Sequence, residues 1–189
     1  MSIPAEGVAA ILRRMPAGPI SGVEVGVFRG QLSAVLLRTR PDLSLVMVDS
    51  WLAQEEQPTA YRATRDHHSR MTAVRQSRSQ RDALAATAFA KARCQVLVKP
   101  SVLAALDVPP ASQDFVFLDG DHSFEGVTAD IAAWWGALKV GGWMCGDDYS
   151  PNPNYDFGVG PAVDTAVAAH GWDLVFDGGV WFVQKQEQR

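Results

Sequence analysis

Cysteine is nearly absent: Cys94 and Cys145 are the only two in 189 residues. That excludes a disulfide-built scaffold, and their spacing fits no metal knuckle. No apolar run is long enough to span a bilayer, and no secretory leader pattern opens the chain. Positive charge is not in surplus, since 17 Lys and Arg against 21 Asp and Glu leave a net charge of -4. A nucleic-acid phosphate track is therefore not expected. One basic stretch exists, Arg62, Arg65, Arg70, Arg75, Arg78 and Arg81, and it reads as a solvated helix face. Two phosphate motifs are also missing: the G-x-G-x-x-G of dinucleotide dehydrogenases and the lysine-bearing phosphate loop. What these absences leave is a reduced, cytoplasmic enzyme or binding protein, with neither membrane nor nucleic acid as partner. The length suits one domain over residues 1–189, with a sizeable core.

What is present is an alternation of helical and extended patterns. Residues 3–15 carry Ile3, Val8, Ile11, Leu12 and Met15 at helical spacing, within an N-terminal segment 1–19 closed by Pro16 and Gly18. Strands are expected at 20–25, 43–49, 94–99, 114–119, 143–147, 172–177 and 180–186. Helices are expected from Gly30 to before Pro41, over 80–92, at 103–106, over 124–138 up to a stop at Gly141 and Gly142, and over 160–171. Residues 51–80 are polar, Arg-rich and aperiodic, and read as a lid-like insertion carrying His67 and His68. Gly178 and Gly179 read as a hairpin turn. This pattern predicts an α/β fold: a doubly wound, mainly parallel seven-stranded sheet with a C-terminal antiparallel hairpin.

Ligands of open α/β sheets bind beyond the carboxyl ends of the strands. Those ends carry Glu24, Gly26, Phe28 and Gly30 after the first strand, and Asp49, Ser50 and Trp51 after the second. Ser101 follows the third strand, Asp119, Asp121 and His122 the fourth, and Asp147 and Asp148 the fifth. Five aspartates at three strand ends are more than helix capping requires. The spacing E-x-G-x-x-x-G lets the chain turn tightly and a ligand approach the backbone at Gly26 and Gly30. Asp49 is placed to accept from both hydroxyls of a ribose. A nucleoside without a pyrophosphate is the indicated ligand.

The stretches "VEVGVFRGQLS", "VMVDSW" and "FVFLDGDHSFEGVTADIAAWWGALKVGGWMCGDDY" resemble a class I S-adenosylmethionine-dependent methyltransferase. More narrowly, they are similar to the metal-dependent small-molecule O-methyltransferases of the macrocin and sugar O-methyltransferase group. The resemblance implies a Rossmann-like fold with S-adenosylmethionine as cofactor. Gly26 and Gly30 would pass under its methionine part, with Glu24 fixing the loop and Phe28 beside it. Asp49 would hold the ribose, Ser50 and Trp51 would lie near the adenine, and Ser101 near its amine edge. Asp119, Asp147 and Asp148 would bind one Mg2+ or similar divalent cation, with Asp119 also facing the cofactor. The hard oxygen donors suit that ion. It would grip a hydroxyl of a small-molecule substrate, and either His122 or Asp121 would take the proton.

Other roles remain open at this level. The substrate pocket would come from residues 51–80, the loop 149–160 with Tyr149, Tyr155 and Phe157, or a second subunit. Trp134 and Trp135 read as core or subunit contact, so a homodimer is a candidate assembly. Two alternatives stand beside the leading one: a metal-independent methyltransferase, and a nucleoside-binding protein without transfer activity.

Overall fold

The computed structural model describes residues 4–187. Its strands are β1 (Ile20–Val25), β2 (Leu43–Val48), β3 (Cys94–Leu97), β4 (Gln113–Leu118), β5 (Leu138–Gly146), β6 (Leu174–Asp177) and β7 (Val180–Gln184). They form one sheet in the order β3-β2-β1-β4-β5-β7-β6. The first five run parallel, and β7 is antiparallel to both β5 and β6. This is the expected α/β fold with its C-terminal hairpin. Gly178 and Gly179 both take positive φ, 59° and 85°, as a tight hairpin turn requires.

The central strands are buried on both faces, so their sequences read as apolar runs rather than alternation. The alternation is instead between two core layers. Phe115 and Phe117 of β4 enter one layer with Met47 and Phe182. Val116 and Leu118 enter the other with Trp134 and Val163. The first layer is covered by α1 (Ala5–Arg14), α2 (Gln31–Thr39) and α4 (Ala73–Thr87); the second by α5 (Ser101–Ala104), α6 (Phe124–Trp135) and α7 (Val159–His170). Ile3, assigned to the first helix from its spacing, lies outside the described residues. Arg13 and Arg14 at the end of α1 both bond Asp177, which ties that helix to the hairpin. Among the described residues no helix is long and apolar enough to cross a membrane.

Three expectations are corrected by the structure. The 51–80 segment is not a structureless loop: it holds the short helix α3 (Thr59–Ala63), a 3-10 turn at His68–Arg70 and the first two turns of α4. The helix expected over 80–92 in fact spans Ala73–Thr87, followed by a 3-10 segment Ala88–Arg93. Gly141 and Gly142 do not stop a helix. That helix ends at Trp135, and both glycines lie inside β5, where the β4–β5 register shifts between Gln113 and Phe115. A Cβ on Gly142 would lie 3.0 Å from the Asp114 carbonyl oxygen, so the irregular strand approaches its neighbour too closely for a side chain.

Candidate active site

Strands β1 and β4 pair so that Val25 lies opposite Leu118, and both turn outward at the same level. Gly26 has φ 90°, and its amide donates to the Val48 carbonyl at 2.9 Å. The amide of Asp119 donates to the Val25 carbonyl at 2.8 Å. Next to this crossing a cavity of about 900 Å3 opens at the carboxyl ends of the parallel strands. Glu24, Gly26, Phe28, Asp49, Ser50, Ser101, Asp119, Asp121, His122 and Asp148 all line it.

The β1 side of the cavity carries Asp49 and Glu24. Asp49 accepts from the amides of Phe28 and Trp51, each at 2.8 Å, through different oxygens. Each oxygen has acceptor capacity beyond the one amide it accepts from. Burial raises the pKa of Asp49 against the opposing pull of those two amides. Glu24 is buried, and its carboxylate accepts from the Ser33 hydroxyl, pinning the start of α2 under the loop. Burial, partly offset by that bond, pushes Glu24 up to about 8. Gly30 does not reach the cavity wall; it caps α2 with φ 74° and sits 3.0 Å from the Ala83 Cα, measured from an added Cβ. Trp51 does not line the cavity either. Its backbone turns to φ 42°, and its indole enters the core and donates to the Phe28 carbonyl at 2.8 Å. It supports the loop from beneath. Ser101 accepts from the Trp134 indole at 2.8 Å, beside Asp130, whose pKa burial pushes up to about 7.

The β4 side gathers charged groups. Donor atoms of Asp119, His122 and Asp148 all lie within 4.8 Å of one another. Nε2 of His122 is 3.1 Å from Asp119 and 3.7 Å from Asp148. Its Nδ1 is 2.9 Å from Asp66, a buried carboxylate of the 51–80 segment. Burial opposes the charged imidazole, but hydrogen bonds to Asp119 and Asp66 outweigh it and raise His122 to about 10. Asp66 is in turn held well below the usual carboxylate range; burial works against this, and His122 and His68 overcome it. Asp147 stands apart from the trio, accepting from the Asp148 amide at 2.9 Å. Burial, followed by the neighbouring Asp119, pushes Asp147 up to about 6, and burial also raises Asp148. One oxygen of Asp121 accepts from both the amide and the hydroxyl of Ser123, at 2.8 and 2.6 Å.

Sequence reasoning missed Asp66, Tyr61 and Asp130, all in the cavity wall. Of the loop residues it considered, Tyr155 and Phe157 line the wall and stack at 4.7 Å, whereas Tyr149 bonds Asp164 outside it. His67 and His68 do line it, and Nε2 of His68 finds no hydrogen-bond partner among the described residues.

A family model described as "Methyltransferase domain" matches residues 23–149. The chain belongs to that methyltransferase family. It is an S-adenosylmethionine-dependent methyltransferase of class I, and the match runs from β1 past the end of β5. Solved methyltransferases share the fold. CalS11, a calicheamicin methyltransferase, is 16% identical with a TM-score of 0.64, covering 94% of this chain and 77% of its own. The O-methyltransferase NovP is 20% identical with a TM-score of 0.59, covering 95% and 76%. A Burkholderia thailandensis 1,6-didemethyltoxoflavin-N1-methyltransferase with bound S-adenosylhomocysteine is 12% identical with a TM-score of 0.60, covering 96% and 77%. No curated protein matches the chain.

Proposed function

We propose that this methyltransferase moves the methyl group of S-adenosylmethionine to a hydroxyl of a small molecule, assisted by a divalent cation. The observation that carries this reading is one cavity holding both halves of the site: Gly26 and Asp49 on one side, Asp119 and Asp148 on the other. Burial, with the neighbouring Asp119, pushes Asp147 up to about 6 and raises Asp148, and a dication would stabilise both in their ionised forms. Asp119 and Asp148, with Asp147 adjoining, are the residues that would hold it. When bound, such an ion favours the ionised form of an acceptor hydroxyl.

The chain's own residues supply the remainder. Asp49 fixes the ribose, and the Gly26 turn leaves space for the methionine part. The acceptor oxygen attacks the sulfonium methyl in line; the C–S bond breaks and S-adenosylhomocysteine leaves. The hydroxyl proton goes to Asp121. Its second oxygen makes no hydrogen bond among the described residues, whereas both ring nitrogens of His122 face carboxylates. Tyr61, Tyr155 and Phe157 give the wall flat apolar faces for a ring-shaped substrate and keep water out. Among the described residues Lys99 is the only lysine or arginine in that wall, and it is paired with Asp107. An uncharged hydroxylated molecule therefore fits better than a phosphorylated one.

The test is calorimetric titration with S-adenosylhomocysteine, then with Mg2+ or Mn2+, followed by turnover on a panel of sugars and phenols with and without EDTA. Micromolar cofactor binding and chelator-sensitive methylation are expected. Full activity in EDTA would remove the cation from the mechanism.

A further inference from the structure

We propose that Nε2 of His122 is itself a ligand of the divalent cation, beside Asp119 and Asp148, and that Asp66 is the positioning residue that aims it. This rests on the cation-assisted reading above, and it changes the donor set from three carboxylates to two carboxylates and an imidazole.

Distances carry the first part. Nε2 of His122 lies 3.1 Å from Oδ1 of Asp119 and 3.7 Å from Oδ2 of Asp148. Adjacent ligands around a six-coordinate ion with bonds of about 2.1 Å are roughly 3 Å apart. Nε2 is thus already near that spacing from both carboxylates, and the donor atoms of all three residues lie within 4.8 Å of one another. Asp147 is outside the trio, and one of its oxygens already accepts from the Asp148 amide at 2.9 Å.

Fixation of the ring carries the second part. Nδ1 of His122 meets Oδ2 of Asp66 at 2.9 Å. That same oxygen accepts from the Tyr61 hydroxyl at 3.0 Å, while Oδ1 accepts from the His68 amide at 2.9 Å. Phe157 packs against the imidazole with centroids 4.6 Å apart. A ring held at Nδ1 and packed on one side cannot rotate without breaking these contacts. With Nδ1 directed to Asp66, a bound cation would displace the Nε2 proton that otherwise faces Asp119, and Nε2 is the nitrogen that would then donate to it. A carboxylate on the far nitrogen is how ligating histidines are oriented and made more basic.

Two consequences follow from the chemistry. An imidazole in the donor set favours Mn2+ or Co2+ over Mg2+, which prefers oxygen. The 51–80 segment is then part of the reaction centre, because its Asp66 sets the geometry of a ligand carried by another element.

The experiment is pulsed electron paramagnetic resonance of the full chain loaded with Mn2+, together with Mn2+ and Mg2+ titrations of wild type and variants. S-Adenosylhomocysteine affinity serves as the folding control, since its proposed ribose contact, Asp49, lies on the β1 side of the cavity. A directly bound 14N coupling is expected in wild type and absent in His122→Gln, with Mg2+ binding at least about tenfold weaker than Mn2+. Asp66→Asn should lower Mn2+ affinity by about 10- to 100-fold, and Asp66→Glu should restore part of it. Mn2+ bound without nitrogen coupling, or coupling that survives in His122→Gln, overturns the inference and leaves the cation-assisted reading standing. Unchanged Mn2+ affinity in Asp66→Asn overturns the positioning role. Failure to bind either ion while S-adenosylhomocysteine binds normally overturns both. Should Asp66→Asn fail the folding control, the wild-type and His122→Gln spectra still decide the ligand.

Discussion

A side chain on Gly26 would place its Cβ 1.9 Å from the carbonyl oxygen of Asp119. The turn after β1 and the turn after β4 thus touch through backbone alone. This brings the proposed cofactor loop and the proposed cation site into one cavity. Gly26 also has φ 90°, a conformation that costs an L-residue about 1–2 kcal/mol before any clash. Gly26→Ala should therefore lose at least about 2 kcal/mol of stability and bind S-adenosylhomocysteine measurably more weakly. Denaturant unfolding and calorimetry check both effects, and a variant of wild-type stability would mean the two turns are not locked together.

The Asp49 carboxylate accepts from the amides of Phe28 and Trp51 and lines the cavity, where the proposed reading gives it the ribose hydroxyls. Asp49→Ala should weaken S-adenosylhomocysteine binding by about 10- to 100-fold, the cost of losing charged acceptors for buried donors. Wild-type affinity in this variant, measured by calorimetry, would remove Asp49 from the ribose site.

Much of this was legible in the chain, and the gaps have physical causes. The succession of strands and helices along the chain and the hairpin could be read because apolar runs and glycine breaks alternate along the sequence. The first half of helix α4 could not, because the residues it buries there are Gln76 and Ser79. Their spacing is helical, but the stripe is polar or small, so hydrophobic periodicity does not reveal it. Gly141 and Gly142 punctuate a strand instead of ending a helix, and sequence alone does not separate a bulge from a stop. In the site, the aspartates after β4 and β5 stood out because apolar runs end in them. Asp66 did not, since a single carboxylate in an arginine-rich stretch has no local signature; only the fold brings it to His122. Trp51 looked like an adenine contact by position, yet its positive φ turns it into the core.

Stability should depend on pH through Glu24. Its pKa rises from 4.5 to about 8, chiefly through burial. The folded protein then holds a proton that the unfolded chain releases between those two values. Stability is highest below that window and falls as pH rises through it. The loss between pH 5 and 8.5 should be on the order of 2–4 kcal/mol in the cofactor-free protein. Glu24→Gln keeps an acceptor for the Ser33 hydroxyl and removes the titration. Its unfolding free energy should lose this slope, and it should equal or exceed wild type at pH 8.5. Parallel pH profiles for the two proteins would mean that Glu24 is ionised in the fold.

Asp121 and His122 are neighbours with different geometry, and that difference predicts their kinetics. One oxygen of Asp121 accepts from the amide and hydroxyl of Ser123, the N-cap of α6, and an added Cβ on Gly126 would sit 2.3 Å from the Asp121 Cγ. The carboxylate is thus packed in a fixed direction, with its second oxygen left for a substrate proton. Asp121→Asn preserves the shape and the oxygen that accepts from Ser123 but cannot accept that proton. On a substrate identified from the hydroxyl panel, kcat should fall by about 10^2- to 10^4-fold, with S-adenosylhomocysteine and Mn2+ affinities within about threefold of wild type. His122→Gln should instead lose Mn2+ affinity along with turnover, and excess Mn2+ should recover part of its rate. If Asp121→Asn turns over normally while excess Mn2+ fails to help His122→Gln, the two roles must be exchanged and His122 becomes the base.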